Sequence, residues 1–188
     1  MSVMSTSGYG GATIPLIAKA AGLSTGLVHY HFDTKQSILL ELVRHLIEIV
    51  DERFQSSKES EPAARLTAYI NAHLAYRSGA NPMAVSCWNI IGAEAVNQPE
   101  IKAAYQAAMY DQVAVLEKVC EDILRAEGRS IRKKRAIALG ITAAIEGSYR
   151  LLIAVPNMIP RGFAATTVRD MAFGLISAQP VSSQNRRT

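Results

Sequence analysis

The sequence predicts an all-α protein, in which a small N-terminal helix-turn-helix domain is followed by a larger helical domain. Apolar residues recur three and four positions apart along most of the chain, the spacing of one helix face. No segment shows the alternation of apolar and polar residues that is typical of a strand. Hydrophobic residues make up 49% of the 188 residues and charged residues 19%, which excludes a disordered chain.

The first of two short helices is predicted to follow Thr13. This threonine is a suitable N-cap, and Pro15 fits the first helical turn, where its missing N–H has no intrahelical partner to lose. Gly22 ends the helix, because glycine adopts the left-handed conformation that a tight turn requires. Leu23, in the turn, is expected to fill the small core beneath both helices.

The second short helix is predicted over about residues 25–32. Ser24 can cap it, and Val28 and Phe32 face inward because they lie four residues apart. Two helices joined in this way form a helix-turn-helix, whose second helix reads the major groove of double-stranded DNA. The residues expected to contact DNA are Thr13, Ser24, Thr25, Gly26, Leu27, His29, Tyr30, His31 and Lys35.

These residues have different expected roles. Thr25 and Leu27 lie in the opening turn, which reaches base edges, and an exposed leucine suits a thymine methyl group. Tyr30, His31 and Lys35 suit phosphate oxygens. His29 and His31 lie two apart on a helix and face different directions, so no metal site and no cofactor are expected.

The same stretch resembles the DNA-binding signature of the TetR/AcrR transcriptional regulators. The matching residues are Thr13, Ile17-Ala18, Ala21 to Ser24, Tyr30 to Phe32 and Lys35. The run from Ser24 to Phe32 is more similar to the choline-responsive BetI branch than to the tetracycline-responsive one. The resemblance implies a cytoplasmic repressor without enzymatic activity, which a small-molecule effector releases from its DNA operator.

The resemblance also implies a longer first helix than residues 1–7 can form. In the family, that helix ends a few residues before a Gly-aromatic pair, which Gly8 and Tyr9 match here. We therefore expect residues 1–45 to form a helix-turn-helix domain with a truncated first helix. The small core at Ile17, Val28 and Phe32 would then be poorly covered, and DNA binding by this chain would be weak.

Residues 46–179 are predicted to form a helical effector-binding and dimerisation domain, followed by a flexible tail over residues 180–188. The helix over about residues 132–155 is apolar nearly all round, so several of its faces require cover. A second subunit is the simplest cover, and the resemblance also implies a homodimer through the last two helices. Ile141 and Leu175 are expected in that interface.

Four residues of the larger domain are candidates for effector binding, namely Trp88, Tyr105, Glu146 and Tyr149. A buried carboxylate needs a partner, and three aromatic rings with a carboxylate suit a quaternary ammonium ion. Alternatively, Glu146 pairs with Arg150 four residues on, and the aromatic rings belong to the core.

Other functions remain open from the sequence. A ligand-binding or dimerisation module without DNA binding is one alternative, and an all-helical enzyme is another, although no nucleophile elbow, Walker loop or metal-ligand spacing is present.

Cys87 and Cys120 are expected as reduced core thiols. No uninterrupted run of eighteen apolar residues occurs, so no contact with a membrane is expected. A net charge of +4 permits nucleic-acid binding, although the basic cluster at residues 129–135 fits either a solvated helix start or a second DNA contact.

Overall fold

The computed structural model describes residues 1–75 and 81–182. Within these ranges the chain forms α-helices and two short 3-10 helices but no strand, which confirms the all-α prediction. The α-helices are α1 (Ser2–Gly11), α2 (Ile14–Ala21), α3 (Thr25–His31), α4 (Lys35–Ser56), α5 (Pro62–Leu74), α6 (Pro82–Glu94), α7 (Pro99–Ala126), α8 (Lys134–Ala154) and α9 (Phe163–Ser177), and the 3-10 helices span Ile131–Lys133 and Pro156–Met158.

One compact unit consists of Met1–Ile49 and Asn81–Ala108. Within it, α1 packs on α6 and α2, and α2 packs on α3. Helix α1 contains Gly8 at a φ of 68°, a left-handed value that favours glycine and bends the helix before Tyr9. The predicted domain boundary near residue 45 stays a prediction. The compact unit is larger than the predicted domain of residues 1–45, because it also includes α6 and the start of α7.

The small core of the helix-turn-helix is unevenly covered. Val28 is buried, whereas Ile17 and Phe32 are only half-buried. An open groove of about 470 Å³ lies within this unit, and its apolar lining includes Met4, Ile17 and Leu42. The first unit thus presents apolar surface between α1, α2 and α4.

The second compact unit consists of Val50–Ala80 and Met109–Thr188, in which α5, α8 and α9 pack on one another. At its described end, the Ser130 amide donates to the Pro180 carbonyl at 2.9 Å and the Ser182 amide to the Gly128 carbonyl at 2.8 Å. These bonds connect residues 180–182 to the turn after α7, while residues 183–188 lie outside the described part of the chain. The flexible tail over residues 180–188 stays a prediction.

The basic cluster between α7 and α8 forms ion pairs inside the second unit. Lys134 pairs with Glu117 and Glu121, and Arg135 also pairs with Glu117. Hydrogen bonds from Lys134 and then from Arg125 hold the pKa of Glu121 at about 2. These contacts favour a structural role for Lys134 and Arg135 in joining the two helices.

Helix α8 is buried on only one side. Ile137, Ile141 and Ile145 are buried, whereas Leu139 and Leu151 are 49% and 46% exposed. The segment Ile131–Ala154 has an 18-residue window of mean hydropathy 1.4, of which 28% is buried, so its length and composition alone would allow a membrane-crossing helix. Polar residues interrupt this segment, so its high mean hydropathy does not appear as an uninterrupted apolar run.

Exposed apolar side chains also occur on α9. We call the exposed apolar residues of both helices the α8/α9 surface, comprising Leu139, Leu151, Ile153, Met171 and Leu175. Leu175 is 40% exposed in the single chain, and its place in a dimer interface stays a prediction. Ile141, also predicted in that interface, is instead 1% exposed and therefore belongs to the core of its own chain.

Candidate functional sites

The helix-turn-helix forms with the predicted caps. The Thr13 hydroxyl accepts a hydrogen bond from the Leu16 amide at 3.4 Å, and the Ser24 hydroxyl accepts one from the Leu27 amide at 3.2 Å. Gly22 ends α2 at a φ of 69°, which requires a residue that tolerates the left-handed region. Local side-chain bonds therefore fix where both short helices begin.

The predicted DNA-contacting residues are mostly solvent-exposed. Tyr30 is 83% exposed and Leu27 is 42% exposed. The other exposed residues of the predicted set are Thr13, Ser24, Gly26, His29 and His31, while Thr25 and Lys35 are half-buried. Leu23 is 45% exposed, so the prediction that it fills the core is wrong. An apolar residue in the turn carries no signal in the sequence that distinguishes a core position from a surface one.

Lys35 has a contact that sequence reasoning missed. Its Nζ donates to the Tyr9 carbonyl at 2.7 Å and lies 4.1 Å from the centre of the Tyr9 ring. The Tyr9 hydroxyl donates to Gln98 Oε1 at 3.4 Å. An ammonium group has three N–H donors, so Lys35 retains hydrogen-bonding capacity for a phosphate beside this contact. The Gly8-Tyr9 pair thus helps to hold the start of α4.

The four predicted effector-binding residues are divided between the two units. Trp88 and Tyr105 pack together in the first unit, with ring centres 5.0 Å apart. Glu146 and Tyr149 lie on α8 in the second unit. The proposed cage of all four therefore does not form within one compact unit, and their role in effector binding stays a prediction.

The second unit contains a buried polar cluster that the sequence did not predict. His73 on α5 is 3% exposed, and its Nδ1 lies 2.7 Å from the Tyr149 hydroxyl on α8. The ring of Tyr69 lies 4.8 Å from the His73 ring, and the Tyr69 hydroxyl donates to the Gln112 carbonyl at 3.3 Å. His73 Nε2 is buried and has no hydrogen-bond partner among the described residues.

Burial determines the protonation of this cluster. It lowers the pKa of His73 to about 4, so the imidazole is neutral at pH 7. Burial, and then the negative charge of Glu146, raise the pKa of Tyr149 well above its ordinary value. The pKa of Tyr69 is raised by burial and by Asp51 and Glu146. Both phenols therefore keep their protons.

Metal chemistry receives no support from the geometry. In residues 1–75 and 81–182, no three His, Cys, Asp or Glu side chains are grouped closely enough to hold an ion. Cys87 and Cys120 are both buried and form no disulfide. Burial raises the pKa of both thiols, as expected of unreactive core cysteines.

A capped and exposed helix-turn-helix followed by further helices is typical of helical transcriptional regulators. Residues 1–42 match the family described as "Bacterial regulatory proteins, tetR family". This match, together with the similarity to BetI regulators, supports a BetI-like DNA-binding transcriptional regulator of the TetR type.

Relatives of this chain include proteins named HTH-type transcriptional regulator BetI. The protein of Serratia proteamaculans (strain 568) is 28% identical over 142 residues, covering 73% of this chain and 69% of the relative. The protein of Stenotrophomonas maltophilia (strain R551-3) is 26% identical over 175 residues, covering 92% and 84%.

Solved structures share the fold. A transcriptional regulator from Rhodococcus sp. Rha1 superposes with a TM-score of 0.81 at 20% identity, covering 96% of this chain and 94% of that one. A transcriptional regulator from Saccharomonospora viridis, solved in complex with choline, has a TM-score of 0.77 at 21% identity and covers 94% and 90%.

Proposed function

We propose that this regulator is a homodimeric repressor whose operator binding is weakened by a small-molecule effector. The proposal rests on one observation, an exposed recognition helix together with a separate buried cluster in which one hydrogen-bonding atom has no partner among the described residues. The first suits DNA and the second suits a small molecule.

The DNA contacts are assigned from position and exposure. Thr25 and Leu27, in the first turn of α3, are proposed to contact base edges. His31 and Lys35 are proposed to contact phosphate oxygens, together with the highly exposed Tyr30. Thr13, Ser24, Gly26 and His29 complete the proposed surface. Thr13 and Ser24 stand at helix N-termini, where backbone N–H groups favour a phosphate.

The proposed dimer forms through the α8/α9 surface. Two recognition helices must enter successive major grooves, so a dimer is a geometric requirement for this mode of binding. Large exposed apolar side chains on neighbouring helices gain free energy when a second subunit covers them. Residues with small or absent side chains on the exposed side of α8, among them Ala143 and Gly147, permit close approach of a partner helix.

The effector site is proposed within the second unit, at His73, Glu146 and Tyr149. A buried imidazole, a phenol hydroxyl and a nearby carboxylate give a small molecule both polar and aromatic contacts. The relative from Saccharomonospora viridis was solved with choline, so choline is the first effector to test. Trp88 and Tyr105 are also proposed to contribute to effector binding, and that proposal rests on the sequence alone.

A gel-shift titration with DNA from upstream of the gene tests the proposed function. Because the small core of the helix-turn-helix is poorly covered, we expect a retarded complex only at high protein concentration. That complex should contain two protomers per DNA duplex, and less of it should form when choline is added. Binding of the small molecule without any DNA complex would instead favour a ligand-binding module that does not regulate transcription by contacting DNA.

A further inference from the structure

His73 has a buried hydrogen-bonding atom that no residue in 1–75 or 81–182 satisfies. Nε2 is buried and lacks a partner among the described residues, while Nδ1 is 2.7 Å from the Tyr149 hydroxyl. Buried polar groups in folded proteins are nearly always hydrogen-bonded, because their desolvation is otherwise uncompensated. An apolar residue at this position would avoid that cost, so the imidazole indicates a partner other than the described residues, and a bound small molecule is such a partner.

The Tyr149 contact determines which nitrogen carries the proton. If Nδ1 accepts from the Tyr149 hydroxyl, that hydroxyl is satisfied and Nε2 carries an N–H donor. If Nδ1 donates instead, the Tyr149 proton and the Nε2 lone pair both lack a partner. The first arrangement leaves fewer groups unsatisfied, so Nε2 is the donor.

The surrounding charge limits the chemistry of the partner. Besides burial, Asp51 and Glu146 raise the pKa of Tyr69, and Glu146 raises the pKa of Tyr149 more than the positive charge of Arg53 lowers it, so negative charge prevails at this cluster. A second negative charge would be repelled here. The site therefore favours a neutral or cationic molecule over an anion.

We infer that His73 Nε2–H donates a hydrogen bond to an uncharged hydroxyl or carbonyl oxygen of the effector. Tyr149 acts as a positioning residue that keeps the proton on Nε2. This inference rests on the proposed effector site and adds the class of ligand, a neutral or cationic small molecule with an oxygen acceptor. A buried donor of this kind rejects an analogue that lacks the acceptor, because the N–H then stays unpaired.

Matched probes test this recognition by calorimetry on the full chain. Choline and propyltrimethylammonium have the same cation, but the second replaces the hydroxyl with a methyl group, and 3,3-dimethylbutan-1-ol has the hydroxyl without the charge. We expect choline and the neutral alcohol to bind, and propyltrimethylammonium to bind about tenfold more weakly than choline. Equal affinity for the two cations, or no binding by either alcohol, would overturn the inference.

Substitutions at His73 locate the discrimination. The amide of glutamine reaches the position of Nε2, whereas that of asparagine reaches the position of Nδ1, so His73→Gln should retain part of the preference for choline and His73→Asn should lose it. Thr142→Val is the matched control, because the Thr142 hydroxyl already donates to the Ala138 carbonyl of its own helix at 2.9 Å. A preference for choline that survives in His73→Asn would contradict the assignment.

The double variant His73→Leu with Tyr149→Phe separates ligand recognition from a structural role. It removes both polar groups together, so we expect an unchanged or higher melting temperature without ligand and no preference between the two cations. A lower melting temperature would assign the cluster a structural role and overturn the inference. Gel shifts of the same variants distinguish this inference from the proposed function. If only the hydrogen bond from His73 to the effector is wrong, the proteins still bind DNA. If the proposed function is wrong, the wild-type protein forms no DNA complex.

Discussion

Replacing Leu175 with aspartate should dissociate the proposed dimer. The Leu175 side chain lies on α9, is 40% exposed in the isolated chain and approaches Gly140 on α8. In the dimer this exposed part would be covered by the partner. A carboxylate at the same position would lose its water without gaining an opposite charge.

The magnitude follows from the exposed fraction. Full burial of a leucine side chain is worth about 1.5–3 kcal/mol. The remaining 40% of Leu175 is then worth about 1 kcal/mol in each chain, or about 2 kcal/mol per dimer. Desolvation of the two introduced carboxylates adds several kcal/mol. A total of at least about 4 kcal/mol corresponds to a dissociation constant that is about a thousand times higher.

Sedimentation equilibrium measures this change directly. Thr166→Asp provides the control, because Thr166 is exposed on α9 and lies nine residues from Leu175, about two and a half turns away on the opposite side of the helix. We expect the Leu175 variant to be monomeric at concentrations where the wild type and the control are dimers. A folded Leu175→Asp protein that remains as tight a dimer as the wild type would refute the reasoning.

Three further predictions concern DNA contact, pH and stability. Lys35→Ala should weaken binding to all DNA sequences and reduce the slope of log binding constant against log salt concentration by about one unit. Leu27→Ala should instead cost about 1–3 kcal/mol of binding free energy at one base pair only. If salt titrations show the same behaviour for both variants, the assignment of these contacts is wrong. Burial lowers the pKa of His73 from 6.5 to about 4, so the unfolded chain binds more protons in that window and stability falls as the pH drops through it, by up to about 3 kcal/mol. Thermal denaturation between pH 7 and pH 4.5 should show this loss in the wild type and a smaller one in the double variant that lacks both His73 and its phenol partner. Arg129 donates to two carbonyl oxygens at the end of α9, at 2.6 and 2.8 Å, so Arg129→Ala should lower the free energy of unfolding by about 2 kcal/mol in denaturant titrations, with no loss expected for the exposed Arg132→Ala.

The local features of the fold were predictable from the sequence. Thr13, Gly22 and Ser24 act on the backbone within a few residues, so residue type and spacing determine the two short helices. Residues 35–56 and 163–177 each form a single helix, in agreement with the apolar residues that recur three and four positions apart along most of the chain. Such signals do not depend on tertiary contacts.

Features that depend on distant contacts were not predictable. His73 and Tyr149 are 76 residues apart in the chain, and no sequence pattern near either residue predicts the hydrogen bond between them. Ile141 and Leu139 lie on the same apolar helix, and only packing distinguishes the buried isoleucine from the exposed leucine. Residues 180–182 carry no helical pattern, yet their backbone bonds with the turn after α7 hold them in place.

Selection of binding sites from random double-stranded DNA tests the central claim most directly. The purified chain is mixed with the library, bound DNA is recovered over several rounds and its sequences are compared. A dimer with two helix-turn-helix units predicts an inverted repeat whose half-sites lie about one helical turn apart, or a multiple of it. Leu27→Ala should relax one position in each half-site. Recovery of unrelated sequences, or of a single half-site without symmetry, would contradict a dimeric regulator that reads DNA through α3.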